Sequence, residues 1–449
     1  MIIQHTFLIC KPFFEIDSHL FPNGSCDIIY PTERQVIPMN TRDIKQILKN
    51  TAYPHTAASP EEMKCLQYLQ ERCSRIGLKT RIESFPLERS HIRSASLTVA
   101  GKEYPCKAFI GCGSGRVEAP LYYLRDSDDL SLSLCRDRIV LTDQPLKMWL
   151  YQDMLQNGAL GFITFTGRYN CPDRDIDQKT LRPAVSQGKK ILGVNINVRD
   201  AMEIVATGSQ IACIEVQQEE YEAQAHNMIA ELPGEVDEWI VLTAHYDSTP
   251  LSCGSYDNMT GSIGILAVAE RFLKAPHRRG LRFIWCGGEE LGLLGSKAYC
   301  ADHGPELETV ALNINLDMIG SIMGKFIACC SAEDRLVSFI EYMADELGFS
   351  VSARTGVYAS DSTPFADKGV PSLSFARLAP PSAGSIHERY DTPALVSPEQ
   401  MLIDIEFIAD FTGRMANAVR CPVKRVIPDK IKDKLDVYLN RKRPPKPQD

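Results

Sequence analysis

"FIWCGGEELGLLGS", Phe283–Ser296, decides how this chain is read. An apolar run stops at a glycine pair, and two adjacent glutamates follow before a second apolar stretch. The spacing predicts a buried strand, a tight turn and a helix opened by Glu289 and Glu290. Charge at the rim of a core is costly to desolvate. Adjacent helical residues do not share a face, so the two carboxylates would point in different directions. Either both are helix-start residues favoured by the macrodipole, or they have two separate tasks.

The same strand–helix texture surrounds this stretch. "WIVLTA", "ALNINL", "KFIACC" and "SLSFA" are short and wholly apolar. Helix-like segments such as "NMTGSIGILAVAERFLKA" and "AEDRLVSFIEYMADELG" lie between them, and "SPEQMLIDIEFIADFTGRMANAV" supplies a last covering helix. Apolar strands alternating with helices imply an α/β fold of three layers, with a mostly parallel mixed sheet covered on both faces. Residues 40–78 read as two amphipathic helices, the second with a Ser-Pro-Glu-Glu start and a Gly stop. Over residues 118–217 short β-rich runs alternate with turns, which reads as a small inserted domain. The expected organisation is therefore an extension over 1–38, a discontinuous main domain over 39–117 and 218–420, the insertion, and a tail over 421–449. The tail, with "NRKRPPKPQD", is polar, Pro-rich and locally basic, and is expected to be a solvated end.

Composition narrows the function classes. The 449 residues are 44% hydrophobic and 24% charged, ordinary for a globular protein of two or three domains. A net charge of -8 and a pI near 5.7 argue against nucleic acid or an anionic membrane as partner. No apolar run approaches the roughly 18 residues that span a bilayer. The N-terminus lacks a basic region ahead of its apolar residues and reads as no signal peptide. Fifteen scattered cysteines without a CxxC pair fit a reducing cytoplasm.

Ligands in such sheets bind beyond the C-terminal ends of the strands. The charged residues there are His245 and Asp247, Glu289 and Glu290, Asp317, Asp257 ahead of a helix, and His387 in a loop after the last strand. Singly each has a plain structural reading, such as an N-cap for Asp257. Converging on one crevice, their carboxylates would repel strongly without a cation. The inventory fits two zinc ions. If Asp257 bridges them, one takes His245 and Asp317 and the other takes Glu290 and His387, leaving a position for water. Asp247 remains to accept the free ring N–H of His245. Glu289 is then the general base, taking a proton from the water and delivering it to the leaving amine.

With these residues in view, the sequence closely resembles the co-catalytic zinc metallopeptidases that include bacterial leucyl aminopeptidases and glutamate carboxypeptidase II. The matching motifs are "NMIAELPG", "AHYDS", "GSYDNMTG", "GGEELGLLGS", "NLDMIG" and "HERYDTP", in that order. The resemblance implies the same ligands, His245, Asp257, Glu290, Asp317 and His387, with Glu289 as base. It also implies that the inserted segment is a protease-associated domain, on "GRVEAPLYYL", "DRIVLTD", "LQNGALGFITFTG" and "ILGVNINVRDAMEIV". One departure is Ser362 in "ASDSTPF", where the family often has His; it bears on substrate preference rather than metal binding. Tyr358 is a candidate for contact with the oxyanion or a packed aromatic.

The leading expectation is an exopeptidase that removes N-terminal residues from peptides. A carboxypeptidase or dipeptidase on the same centre would need arginines to grip the substrate carboxylate, for which Arg354, Arg377 and Arg389 are available. A glutaminyl cyclase-like enzyme would use one metal, and a binding protein would lose ligands. Cobalt or manganese could replace zinc on this donor set. Side-chain preference and oligomeric state leave no mark in the sequence.

Overall fold

The computed structural model of the protein describes residues 39–170, 175–208, 210–381 and 383–445; the expected extension over 1–38 lies outside them. Two helices open the described chain as the sequence predicts. Helix α1 (Thr41–Thr51) starts at a capping box in which Asn40 and Asp43 satisfy each other's backbone N–H. Helix α2 (Pro60–Arg75) starts at Ser59, whose hydroxyl accepts from the Glu62 N–H, with Pro60 in the first turn.

The main body then follows in the order β1 (Thr80–Val99), β2 (Ile211–Leu232), β3 (Val236–His245), α3 (Thr260–Phe272), β4 (Arg279–Cys286), α4 (Leu294–Asp302), β5 (Val310–Leu316), β6 (Lys325–Ser331), α5 (Asp334–Leu347), β7 (Ser352–Thr355), β8 (Ser372–Leu378) and α6 (Pro398–Asn417). Its strands run β7–β6–β8–β5–β3–β4–β2 across the sheet. The central β8, β5, β3 and β4 are parallel, while β6 joins β8 and β2 joins β4 in antiparallel register. Successive residues of β3 and β4 face opposite sides of the sheet. Leu242, Ala244, Phe283 and Trp285 pack into one core with α1, α2, α3, α5 and α6, whereas Val241, Ile284 and Cys286 pack into another with Tyr299 of α4 and Phe365. Both faces are covered, so every residue of β4 is buried and the strand reads as an unbroken apolar run.

The boundary expected at residue 118 falls inside a second core. Leu97, Val99, Tyr104, Ala108 and Phe109 pack there with Ile139, Phe162, Val194 and Ile214. The cause is the length of β1 and β2, which pair antiparallel from Thr80↔Ala230 to Val99↔Ala212 and so run from one core into the other. A strand that crosses from core to core leaves no turn signal at the crossing. Beyond β2 the sheet continues through Gly115–Leu124, Ile139–Thr142, Gly161–Thr166 and Leu192–Asn197 to a short edge strand, Cys106–Ala108.

The solvated C-terminal end also needs correction. Residues Asp429–Tyr438 form helix α7, with Ile431 and Leu435 fully buried against Ile427 and Ala366. Two apolar residues four apart are enough to dock it, although the segment is polar on average. Every cysteine among the described residues is free. No helix among them is long and apolar enough to cross a membrane.

Candidate metal centre

Strands β3, β4, β5 and β8 end on one side of the sheet, and the candidate residues sit just past those ends. His245 closes β3, and its ring is almost wholly buried. Its Nδ1 lies 3.1 Å from the main-chain oxygen of Asp247 and 3.6 Å from that residue's carboxylate. The Asp247 carboxylate instead accepts the backbone N–H groups of Glu289 (3.1 Å) and Glu290 (3.3 Å). Asp247 thus orients the imidazole chiefly through its main chain, and its side chain holds the turn that carries both glutamates.

That turn replaces the helix start expected at Glu289. Helix α4 begins only at Leu294, and Glu289 and Glu290 lie in the loop between it and β4. Gly288 takes φ +68°, a conformation that suits glycine, and a Cβ on Gly287 would meet the His226 carbonyl oxygen at 2.4 Å. The glycine pair therefore lets the chain reverse against β2 and aim two consecutive carboxylates at the sheet end.

Asp257 occupies an irregular turn, Ser255–Met259, ahead of α3. Asn258 fixes this turn to the end of β5: its side chain donates to the Leu316 carbonyl (2.8 Å) and accepts from the Met318 and Gly261 N–H groups (both 2.9 Å). Asp391 fixes it from the other side, accepting from the Tyr256 N–H (2.7 Å), the Asp257 N–H (3.2 Å) and the Ser252 hydroxyl (3.1 Å). Sequence reasoning assigned neither residue a role. Asp391 stands four residues beyond His387 inside the quoted "HERYDTP" motif, which is the signal that was available.

The six candidates converge. His245 Nε2 lies 3.2 Å from Asp257 Oδ1 and 3.8 Å from Asp317 Oδ1. His387 Nε2 lies 3.2 Å from Asp257 Oδ2 and 3.1 Å from Glu290 Oε2. In each triad the donor atoms lie within 4.8 Å of one another. Ligands on a tetrahedral zinc at roughly 2.0–2.2 Å are separated by roughly 3.3 Å. The two oxygens of Asp257 face different imidazoles, the placement a shared ligand requires. Glu289 belongs to neither triad, its Oε2 lying 4.0 Å from His245 Nε2.

The donor set fits divalent cations. Glu290 Oε1 and Asp317 Oδ1 are buried oxygens without a hydrogen-bond donor from the protein. A buried carboxylate oxygen without a partner is costly, and metal coordination is a standard remedy. In the protein alone, burial drives the Glu289 carboxyl well above the usual range, and the neighbouring Glu290, Asp361 and Asp317 add to it. Burial likewise raises Glu290 and Asp317, each with a further upward push from Asp257. For Asp257 burial is outweighed by the hydrogen bonds of His245 and His387, which hold it below the carboxylate range. Burial lowers His387, but Asp257 and Glu290 overcome it and lift the imidazole to about 11. Such crowding of acids around two imidazoles is what bound cations would relieve.

Residues 227–411 match the profile of a family described as Peptidase family M28. This segment belongs to peptidase family M28. The chain is similar to aminopeptidase YwaD of Bacillus subtilis (strain 168), 34% identical over 161 residues, 34% of this chain and 35% of that protein. It is also similar to leucine aminopeptidase 2 of Trichophyton rubrum, 36% identical over 146 residues, 32% of this chain and 26% of that protein. The similarity thus spans about a third or less of the length of these curated relatives. Among solved structures, the aminopeptidase from Aneurinibacillus sp. strain AM-1 superposes with TM-score 0.72 at 21% identity, over 88% of this chain and 98% of that one. The zinc aminopeptidase BSAP from Bacillus subtilis does so with TM-score 0.71 at 21% identity, over 89% and 99%. The fold extends well beyond the M28 segment and includes the second core.

The remaining candidates sort themselves. Tyr358 stands near the centre, where burial, then Asp317 and Asp257, push its hydroxyl upward. Ser362 is buried in a triangle of hydroxyls with Ser360 and Ser374, at 2.8–2.9 Å. Arg377 is committed to Asp404, and Arg389 reaches Asp175 and Tyr390. Arg354 lines the cleft beside the centre.

Proposed function

We propose that the chain is a zinc-dependent aminopeptidase that removes N-terminal residues from peptides. The reading is carried by the division of Asp257 between two imidazoles, with one private carboxylate on each side. The similar proteins named aminopeptidases support the same activity. His245, Asp257 and Asp317 would hold one divalent cation and Asp257, Glu290 and His387 a second. When bound, the pair supplies Lewis acidity to the attacking water and to the scissile carbonyl.

The chain's own residues do the rest. Glu289, free of both triads, takes the proton from the attacking water at its Oε2 and delivers it to the departing amine. Asp247 sets the direction of Glu289 by accepting its backbone N–H, and Asp391 and Asn258 keep the shared Asp257 in place. The inserted segment, as a protease-associated domain, shapes access: residues from 142–149 and 177–185 line the cleft, and Arg182 donates to the Glu290 carbonyl at 2.9 Å.

The test is hydrolysis of leucine p-nitroanilide and of leucine-initiated peptides, with metal content measured alongside. The expected result is release of the N-terminal residue, about two zinc ions per chain, and loss of activity on chelation with recovery on adding zinc. Full activity after chelation, or cleavage of N-acetylated peptides from their C-terminal end, would refute it.

A further inference from the structure

The triads open onto a cleft of about 1200 Å³ with Asp247, Glu290 and His387 in its lining. The whole protein is acidic, with net charge -8, and many of its surface cations pair with carboxylates, as Lys430 does with Asp334 and Arg441 with Asp367. In the cleft the pattern differs. Arg182, Lys297, Arg354 and Lys434 all line it, and among the described residues none of them has a carboxylate oxygen within 4.0 Å.

Two of these cations are fixed next to the centre. Arg182 donates to the Glu290 carbonyl and Lys297 to the Gly292 carbonyl, each at 2.9 Å. They are thereby held on the same three-residue turn whose first residue is a metal-ligand candidate. Each keeps unused donors, since a guanidinium has five N–H groups and an ammonium three. Burial lowers the Lys297 ammonium, and the Arg182 charge lowers it further, the mark of like charges held together. Tyr438, at the end of α7, lines the same cleft, and Glu289 and Arg182 are among the charges acting on its hydroxyl. Helix α7 therefore forms part of the wall of this cleft. Both cations are held on the turn that presents Glu290, so a carboxylate between them would be separated from a group at the centre by a short span of extended chain.

We propose that Arg182 and Lys297 form a subsite for the free C-terminal carboxylate of a short peptide, which makes di- and tripeptides the substrates of this centre; the assignment rests on the aminopeptidase reading above. A guanidinium beside an ammonium suits a carboxylate, because the fork offers two parallel N–H groups and the ammonium adds charge.

The experiment compares Leu-Leu, Leu-Leu-amide and Leu-Glu-amide on the zinc-loaded full chain, in the parent and in Arg182→Lys, Arg182→Gln and Lys297→Gln. The parent is expected to show a KM for Leu-Leu about tenfold below that for Leu-Leu-amide, the worth of one charge-assisted hydrogen bond. That ratio should fall toward one in Lys297→Gln and Arg182→Gln and be partly kept in Arg182→Lys. Calorimetric titration of the same peptides reads the subsite by binding, so that a chain which binds Leu-Leu selectively but hydrolyses nothing refutes the activity and not the subsite. Equal KM and equal affinity for Leu-Leu and its amide in the parent would overturn the proposal. So would an unchanged ratio in the variants, or a preference for Leu-Glu-amide alone, which would assign the pair to an acidic side chain.

Discussion

Replacing Asp391 tests the centre without touching a ligand. Its carboxylate receives the Tyr256 and Asp257 N–H groups and the Ser252 hydroxyl, all in a region closed to solvent. Asp391→Ala strands two backbone donors, each costing about 1–3 kcal/mol, while the hydroxyl can turn to another acceptor. Water entering the vacated space recovers part of this, so the expected loss is about 3 kcal/mol. Asp391→Asn keeps the volume and one acceptor oxygen, and should lose about half as much. Both changes free the Asp257 turn, so zinc affinity should fall about 10- to 100-fold, as for other groups that orient a ligand. Stability is read from urea unfolding in the presence of chelator, and affinity from competition against a chromophoric chelator. An Asp391→Ala chain that unfolds at the parent's midpoint and binds zinc as tightly would refute the role assigned to this residue.

Three further outcomes are expected. Glu289→Gln should lower kcat about 10²- to 10⁴-fold with zinc content unchanged, measured by turnover and metal analysis; a variant within a factor of a few of the parent would remove Glu289 as base. His303 sits between Glu306 and Glu83, both at 2.9 Å, and burial, which lowers its pKa, is overcome by these two acids. Its folded pKa is raised above the unfolded value near 6.5, so its stabilisation is complete below about pH 6.5 and fades as pH rises through the folded value. Unfolding curves should therefore separate the parent from His303→Gln at pH 5.5, by less than about 1 kcal/mol, and converge at high pH. Ile431→Ala should cost about 2 kcal/mol, at the low end for a buried isoleucine because its cluster is small. Hydrogen exchange should show that loss first as lost protection of α7.

The parts legible in the sequence were those where one physical rule acted alone. Strands β3 to β6 are buried on both faces, so composition revealed them without any alternation. The charged residues at their ends stood out because a carboxylate after an apolar run has no packing reason to be there. Other features depended on partners distant in sequence. Asp391 reads as an ordinary loop residue until the Asp257 turn is seen to donate to it from 134 residues away. The position of Glu289 ahead of α4 rather than in it depends on Asp247 capping the loop, which no local pattern encodes. The docking of α7 rests on two residues, Ile431 and Leu435, too few to outweigh a polar composition.

The division of labour in the fold follows from where each group is anchored. His245, Asp257, Glu290 and Asp317 sit on or just past the strands of the central parallel sheet, where both faces are packed and a shift of one ligand would disturb the core. The cleft beyond them is lined instead by side chains of the inserted segment, of the 290–294 loop and of α7, held at the rim by single hydrogen bonds and exposed ion pairs. Energies of that size, about 1 kcal/mol each, permit change without unfolding the chain. Chemistry and selectivity should therefore separate under mutation. Substitutions at strand ends should abolish metal binding for every peptide, and substitutions at Arg182, Lys297 or Tyr438 should alter which peptides react while the metal centre stays loaded.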